Sequence, residues 1–194
     1  MADDTIGLMD HLGIKKAHVL GVSLGGMIAQ ELAINYPERV DKLILASTFA
    51  RRDGTSGYTS EINKAIEAYE RSPHDKASQL KLVFVNLDAV WNKWSYRVLL
   101  PLIKLAIRFS MIKFSAGQDE AVMKHDTADR LGLIKAPTLV ITGAEDRLVN
   151  PVSSEVIANL IPEAKLVKVV GGGHDLFIAM KDEFNKEVLD FLLH

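Results

Sequence analysis

The chain has 194 residues, of which 48% are hydrophobic and 25% are charged. These are globular values, and they exclude a disordered or fibrous protein. The formal net charge of -2 leaves no basic surplus for a phosphate backbone, so we expect no nucleic-acid partner. Cysteine is absent, which excludes disulfides, thiolate metal sites and a thiol nucleophile.

The start of the chain differs from a targeting segment. Its first four residues, MADD, are acidic where a signal peptide is basic and then apolar. The most apolar stretch, residues 98–112, contains two basic residues and is shorter than the ~20 apolar residues that a membrane span needs. We therefore expect a cytoplasmic protein with no membrane partner.

The first predicted element is a short amphipathic helix. Either Asp3 or Asp4 can cap its N-terminus, and Gly13 ends it. The side chains that we expect to face inward are Ile6, Met9 and Leu12.

A strand–helix–strand unit follows. The apolar runs Ala17–Val22 and Val40–Ala46 predict two strands, and the helix between them extends to about Tyr36, where Pro37 stops it. The predicted inward stripe of that helix is Ile28, Leu32 and Tyr36. Strands joined by a helical crossover pair in parallel, and the crossover is right-handed.

Residues 49–131 are patterned differently, with weak strand signals. Helical stretches are predicted at about 58–71, 75–94, 96–112 and 117–131. The segment also concentrates aromatic residues, which are Phe84, Trp91, Trp94, Tyr96, Phe109 and Phe114. We interpret it as a helical insertion with a small core of its own, in which some aromatic side chains face a substrate. The α/β core then consists of residues 1–48 and 132–194.

The alternating pattern resumes after the insertion. Thr138–Thr142 and Lys165–Val170 predict strands, a helix starts at Asn150-Pro151, and a last helix follows three consecutive glycines. The predicted inward residues are Val152, Val156, Ile157 and Leu160 in the first of these helices and Phe177, Met180, Phe184, Val188 and Phe191 in the last.

The motif Gly21-x-Ser23-x-Gly25 lies between a predicted strand and a predicted helix. Alone it is a weak signal, but this context places the serine on a sharp turn that needs small residues on both sides. The turn points the hydroxyl beyond the carboxyl end of the strand. The N-terminus of the following helix offers N–H groups and partial positive charge to a developing anion. Ser23 is therefore a candidate nucleophile.

A serine hydroxyl needs a base to take its proton, and an imidazole has an ordinary pKa near 6.5. Of the six histidines, His174 alone lies in a glycine-rich loop directly after a predicted strand. In a parallel sheet this loop lies at the same edge as Ser23. The other histidines are His11, His18, His74, His125 and His194, and His125 is the next candidate.

An imidazole base needs a carboxylate to hold its tautomer and to stabilise its charged form. Asp146 follows the predicted strand Thr138–Thr142 and so lies at the same edge of the sheet. Its neighbour Glu145 points differently, and Asp175 is too close to the histidine in sequence to reach round it. Asp146 is the candidate orienting carboxylate, with a loop cap or an ion pair to Arg147 as the structural alternative.

These motifs, in the order Ser23, Asp146, His174, resemble those of the α/β-hydrolase family. Residues 20–48 look like the nucleophile elbow, its helix and the next strand of lactonase- and esterase-like members. Residues 137–151 look like the acid strand and loop, and residues 172–174 look like the histidine loop. The resemblance spans essentially the whole chain and implies an α/β fold with a mostly parallel sheet, in which the insertion is the helical cap.

The chain departs from the family pattern at its start. In the family, four strands precede the elbow strand, whereas only 16 residues precede Ala17. The resemblance therefore implies an N-terminally truncated core. The amide of Leu24 remains as one oxyanion donor, but the loop that donates the second is missing. An unpaired edge at Ala17–Val22 also predicts a homo-oligomer.

The resemblance implies a serine hydrolase that acts on a small-molecule carboxylic ester or lactone through an acyl-enzyme. Ser23 is then the nucleophile, His174 the general base and acid, and Asp146 the orienting carboxylate. No metal or organic cofactor is implied, because such a triad needs neither. Two alternatives stay open: a catalytically weak module that binds a small apolar ligand, and a carbon–carbon hydrolase or aminopeptidase using the same triad.

Overall fold

The structure is a computed structural model that describes residues 1–72 and 121–194. The strands are β1 (Ala17–Val22), β2 (Val40–Ala46), β3 (Thr138–Gly143) and β4 (Lys165–Val169). The helices are α1 (Ala2–His11), α2 (Leu24–Asn35), α3 (Ser60–Arg71), α4 (Val152–Leu160), α5 (Leu176–Ala179) and α6 (Lys181–Leu193). Two 3-10 helices span Pro37–Arg39 and Ala128–Leu133.

The four described strands form one parallel sheet in the order β1-β2-β3-β4. The register aligns Val22 with Ala46, Ala46 with Ile141, and Gly143 with Val169. The carboxyl ends of all four strands therefore lie along one edge of the sheet. The fold class predicted from the sequence, a mostly parallel α/β sheet, is confirmed.

Helices cover both faces of this sheet. Alternate residues of β2 point to opposite sides, since Leu43 and Leu45 join the core beneath α1, α2 and α4, whereas Ile44 and Ala46 join the core beneath α5 and α6. A third buried cluster contains residues of α2 and α3 together with residues of the loops after β2 and β3. Its members are Met27, Phe49, Ile62, Ile66, Leu148 and Val149, with Leu24, Tyr58 and Val122 packed against them.

Several predicted details near the start of the chain are wrong. Asp3 and Asp4 lie in the first turn of α1, which Met1 precedes as the N-cap residue. Leu12 is 59% exposed rather than inward, because α1 ends at His11. Tyr36 lies beyond the end of α2, where its hydroxyl donates to a carboxylate oxygen of Asp3 at 2.8 Å.

The second half of the chain also differs in detail from the prediction. The predicted last helix is two helices, α5 and α6, which meet at Met180, and Phe177 is exposed. Strand β4 ends at Val169, and Val170 is exposed. In α4, Val152 and Leu160 are exposed, and only Ile157 of the predicted stripe is buried.

The predicted insertion is described only at its two ends. The helix expected at about 58–71 is α3. The predicted helices at 75–94 and 96–112, and the six aromatic residues named for the insertion, lie outside the described residues. The helix expected over 117–131 is interrupted in its described part, because residues 121–124 are helical and 125–127 are not. The backbone N–H of Thr127 there donates to the carbonyl of Ala50 at 2.9 Å.

Strand β1 pairs with β2 along one of its edges, and no other described strand pairs with it. Leu20 in β1 is exposed. The homo-oligomer expected from this edge stays a prediction.

Candidate active site

Ser23 lies in the turn between β1 and α2, with a φ of 53°. A positive φ is sterically costly for a residue that has a Cβ, and it persists only where surrounding structure enforces it. The N–H of Ser23 donates to the carbonyl of Ala46 at 2.9 Å, which ties the turn to the end of β2. The side chain therefore projects from a strained turn at the carboxyl edge of the sheet.

The glycines of the elbow have different roles. A Cβ on Gly21 would lie 2.2 Å from the carbonyl oxygen of Gly25, so this close approach requires glycine at position 21. A Cβ on Gly25 would meet no described atom within 4 Å. The second steric requirement falls on Gly26 instead, where a Cβ would lie 2.6 Å from Cβ of Thr48. The expectation that the motif's own second glycine is sterically needed is wrong.

Thr48, two residues after the end of β2, stabilises the turn that carries Ser23. Its hydroxyl donates to the carbonyl oxygen of Ser23 at 2.8 Å, and its side chain packs against Gly26. The same carbonyl accepts the N–H of Gly26 at 2.9 Å. Sequence reasoning missed this residue, because Thr48 lies 25 positions from Ser23 and belongs to no local motif.

The structure brings His174 and Asp146 together. Nδ1 of His174 lies 2.8 Å from Oδ2 of Asp146, and their side chains are 7% and 0% exposed. The other carboxylate oxygen, Oδ1, accepts the N–H groups of Leu148 at 2.8 Å and Val149 at 3.0 Å. The carboxylate is thus fixed on both sides, and a Nδ1–H that donates to it leaves Nε2 with the lone pair that can accept a proton.

The neighbouring acids lack this contact. Glu145 is exposed. Asp175 is buried beside the histidine, but the hydrogen bond of the His174 ring goes to Asp146. The position of Asp146 after β3 is therefore what brings a carboxylate to the imidazole.

The loops that carry the acid and the histidine are held against each other. The N–H of Glu145 donates to the carbonyl of Gly172 at 2.9 Å, and the N–H of Ala144 donates to that of Val169 at 2.9 Å. A Cβ on Gly143 would lie 2.3 Å from the carbonyl oxygen of Gly172, so the two backbones meet where only glycine fits.

Ser23 and the pair of His174 with Asp146 lie at the same edge of the sheet, but no described hydrogen bond joins them. Within residues 1–72 and 121–194, neither the Ser23 hydroxyl nor Nε2 of His174 forms a hydrogen bond. Contacts between nucleophile and base are often long in the absence of substrate. The described contacts thus fix the serine turn and the histidine–aspartate pair separately.

Leu24 is the first residue of α2, and its N–H donates to none of the described residues. The first N–H groups of a helix have no partner within the helix, and they favour an anion. The Leu24 side chain also lines an open cleft of about 400 Å³. The other residues that line the cleft come from the start of the chain, from α2 and from residues 121–130. They are Met1, Ala2, Asp3, Met27, Ile28, Glu31, Asn35, Ala121, Lys124, His125, Asp126 and Arg130.

His125, the second candidate base, lies in the wall of this cleft. Its Nε2 is 3.4 Å from the hydroxyl of Thr127, and its ring meets Phe49 edge-on with the centroids 6.3 Å apart. Burial lowers the pKa of His125, although the nearby charge of Glu31 opposes this. Its ring has no carboxylate partner among the described hydrogen bonds, in contrast to His174.

No group of three or more histidine, aspartate or glutamate side chains among the described residues could hold a metal ion. No helix in the described ranges is long and apolar enough to cross a membrane.

A parallel sheet with helices on both faces and a serine on a strand-to-helix turn is the arrangement of an α/β hydrolase. A sequence model of the alpha/beta hydrolase fold matches residues 1–89 and 89–179. The chain belongs to the α/β-hydrolase family.

The relatives named here are hydrolases. The putative carbamate hydrolase RutD of Azorhizobium caulinodans is 29% identical over 98% of this chain and 71% of its own length. A 2-hydroxy-6-oxo-6-phenylhexa-2,4-dienoate hydrolase of Comamonas testosteroni is 31% identical over 96% of this chain and 66% of its own. The crystal structure of the enol-lactonase from Burkholderia xenovorans LB400 superposes with a TM-score of 0.74 at 27% identity, covering 100% of this chain and 72% of that chain.

Proposed function

We propose that the protein is a serine hydrolase that cleaves a carboxylic ester or lactone through an acyl-enzyme on Ser23. The observation that carries the proposal is the buried hydrogen bond of 2.8 Å between His174 and Asp146. This pair lies at the edge of the sheet where Ser23 sits on its strained turn. A fixed imidazole with one nitrogen free is what a serine hydroxyl requires to become a nucleophile.

In the acylation step, Nε2 of His174 takes the proton from the Ser23 hydroxyl as Oγ bonds to the substrate carbonyl carbon. The carbonyl π electrons move to oxygen, and the N–H of Leu24 donates to the resulting oxyanion. The tetrahedral intermediate then collapses, and the bond from carbon to the leaving alkoxide oxygen breaks. The imidazolium returns its proton to that oxygen, while Asp146 stabilises the charged ring.

In the deacylation step, His174 takes a proton from water as the water oxygen bonds to the acyl carbon. The bond from carbon to Ser23 Oγ breaks, and the proton returns to the serine. The products are a carboxylic acid and an alcohol, or one hydroxy acid when the substrate is a lactone. His174 accepts and returns the proton in both steps of this scheme.

The surroundings of the elbow favour an apolar acyl or alcohol group. Leu24 and Met27, on the first turn of α2, pack into the third cluster together with Phe49 and Leu148. The likeness to an enol-lactonase structure supports a lactone as one form of substrate.

The second candidate is hydrolysis of a carbon–carbon bond on the same triad. It is favoured by the 31% identity to a dienoate hydrolase and by the TM-score of 0.70 to a meta-cleavage product hydrolase from Pseudomonas fluorescens. A carbamate also belongs among the test substrates, because several relatives carry the name of putative carbamate hydrolases.

A substrate panel with matched variants tests the proposal. We expect turnover of a p-nitrophenyl ester or a γ-lactone at a higher kcat/KM than of a carbamate or a dienoate ketone. Ser23→Ala should lower kcat by about 10³-fold or more, because the covalent step is lost. The control is Ser154→Ala, which removes a buried hydroxyl of α4 that has no partner among the described residues. Preferred turnover of the dienoate would favour the second candidate, and turnover unchanged in Ser23→Ala would contradict both.

A further inference from the structure

A short segment before α3 lies along the loop that carries Asp146. We name residues 55–59 the strap. The N–H of Gly57 donates to the hydroxyl of Ser153 at 2.8 Å, and its carbonyl accepts the N–H of Asn150 at 2.9 Å. An isolated antiparallel bridge joins Tyr58 to Val149. The strap thus runs beside the acid loop in a strand-like pairing, although the two segments are about 90 residues apart in the chain.

Thr59, at the end of the strap, makes the contacts nearest to Asp146. Its N–H donates to the carbonyl of Leu148 at 3.0 Å, and its hydroxyl donates to the carbonyl of Arg147 at 2.7 Å. Both acceptors lie within two residues of Asp146. Thr59 is also the N-cap residue of α3, so the contact joins that helix to the acid loop.

The residues held by the strap also hold the carboxylate. The N–H groups of Leu148 and Val149 donate to Oδ1 of Asp146, while Oδ2 contacts His174. The stretch from 147 to 149 is therefore bonded to the strap through the carbonyls of Arg147 and Leu148, and to Asp146 through two N–H groups. A shift of this stretch would move the donors that orient the carboxylate toward the imidazole.

We propose that Thr59 is a positioning residue that sets the orientation of Asp146 toward His174 through the backbone of residues 147–149. The proposal rests on the proposed function for its effect on turnover, but not for its effect on the hydrogen bond itself. Because Thr59 is the N-cap residue of α3, the first helix of the predicted insertion is coupled to the geometry of the triad. A small displacement of a catalytic group from its productive position can cost up to about 100-fold in rate.

The test is Thr59→Val, which keeps the shape of the side chain and removes the hydroxyl, with Thr59→Ser to restore it. Thr138→Val is the matched control, because Thr138 at the start of β3 is buried and donates its hydroxyl to a carbonyl, that of Ala136, at 2.8 Å. We expect Thr59→Val to lower kcat by about tenfold with KM nearly unchanged. Thr59→Ser should recover most of that loss, and Thr138→Val should retain the wild-type kcat.

A second readout does not depend on turnover. The imidazole N–H between His174 and Asp146 should give a downfield proton resonance in the NMR spectrum, assigned by its loss in His174→Gln. We expect this resonance to shift or broaden in Thr59→Val and to stay in place in Thr59→Ser and Thr138→Val. If Thr59→Val does not fold, Ser153→Ala weakens the strap at its neighbouring contact, because it removes the oxygen that accepts from Gly57. A resonance and a kcat that both stay at the wild-type values in Ser153→Ala would then count against the positioning role of the strap.

The two readouts separate the proposals. A wild-type protein that turns over no substrate but shows the resonance contradicts the proposed function alone, and the shift in Thr59→Val still tests the strap. A folded Thr59→Val that keeps both the wild-type resonance and the wild-type kcat overturns the positioning role.

Discussion

The ring of His125 meets the ring of Phe49 edge-on and lies 3.4 Å from the Thr127 hydroxyl, in the wall of the cleft that Leu24 also lines. Burial lowers the pKa of this histidine, and the opposing charge of Glu31 does not cancel the effect. The folded protein therefore binds a proton at this position less readily than the unfolded chain, whose histidines titrate near 6.5. Folding therefore favours the neutral form of the His125 imidazole.

This difference predicts an acid-sensitive stability. The stabilisation is fully present above the unfolded pKa of about 6.5 and is lost as the pH falls through that value toward the lowered pKa of the folded state. In urea titrations, the free energy of unfolding should fall in that window by at most about 1.4 kcal/mol per pH unit. His125→Gln should reduce this slope, whereas His11→Gln on the exposed side of α1 should retain it. Equal slopes in wild type and His125→Gln would rule out this assignment.

At the scale of elements, the site depends on how closely two loops approach. The end of β3 and the loop after β4 meet at Gly143 and Gly172. Just beyond this contact, the N–H groups of Ala144 and Glu145 donate to carbonyls at the end of β4 and in the segment that follows it. Both partners are backbone, so neither can rotate aside as a side chain would. Strand β3 and the histidine loop therefore form one unit that sets the distance between Asp146 and His174.

Gly143→Ala should break this unit. The added Cβ would lie 2.3 Å from a carbonyl oxygen, so the loops must separate. We expect the free energy of unfolding to fall by about 2–3 kcal/mol, as for other overpacked sites. The control is Gly7→Ala in α1, where a Cβ meets nothing within 4 Å and the helix should gain about 0.5–1 kcal/mol. Denaturation midpoints measure both, and an unchanged midpoint in Gly143→Ala would contradict the close contact.

The sequence predicted the order of the helices and strands, and the sheet edge at which the site lies, better than the residues at which each helix and strand ends. All four described strands begin where expected, because short, mostly apolar runs between turn residues are typical of strands. The pairing of Asp146 with His174 could be inferred because each follows a strand of a parallel sheet. Local patterns carry no such information on distances between segments, so the contacts of Thr48 and Thr59 could not be inferred.

The errors at helix ends have a similar cause. Leu12 fits the spacing of the inward residues of α1, but the helix ends at His11. The apolar spacing in the sequence therefore continues past the end of the helix. The break at Met180 has no proline or glycine to mark it. Position 26 requires glycine because of the Thr48 side chain, which follows β2, and not because of the adjoining Gly21-x-Ser23-x-Gly25 motif.

At the scale of the whole molecule, the sheet brings three distant parts of the chain to one edge. The serine turn follows β1, the acid loop follows β3, and the histidine loop follows β4. The acid and histidine loops are joined by direct hydrogen bonds, and the strap ties the acid loop to the start of α3. The proposed attack by Ser23 on a substrate carbonyl requires that these separately fixed parts act together.

The most direct test of this account is covalent labelling by a fluorophosphonate, in which the Ser23 oxygen bonds to phosphorus and fluoride leaves. Only an activated hydroxyl reacts readily, so intact-mass spectrometry should show a single adduct on the wild-type chain. Peptide mapping should place that adduct on Ser23. Ser23→Ala should not be labelled, His174→Gln should be labelled far more slowly, and Ser154→Ala should be labelled at the wild-type rate. No adduct on a folded wild-type protein, or equal labelling of Ser23→Ala, would contradict the assignment of Ser23 as the nucleophile.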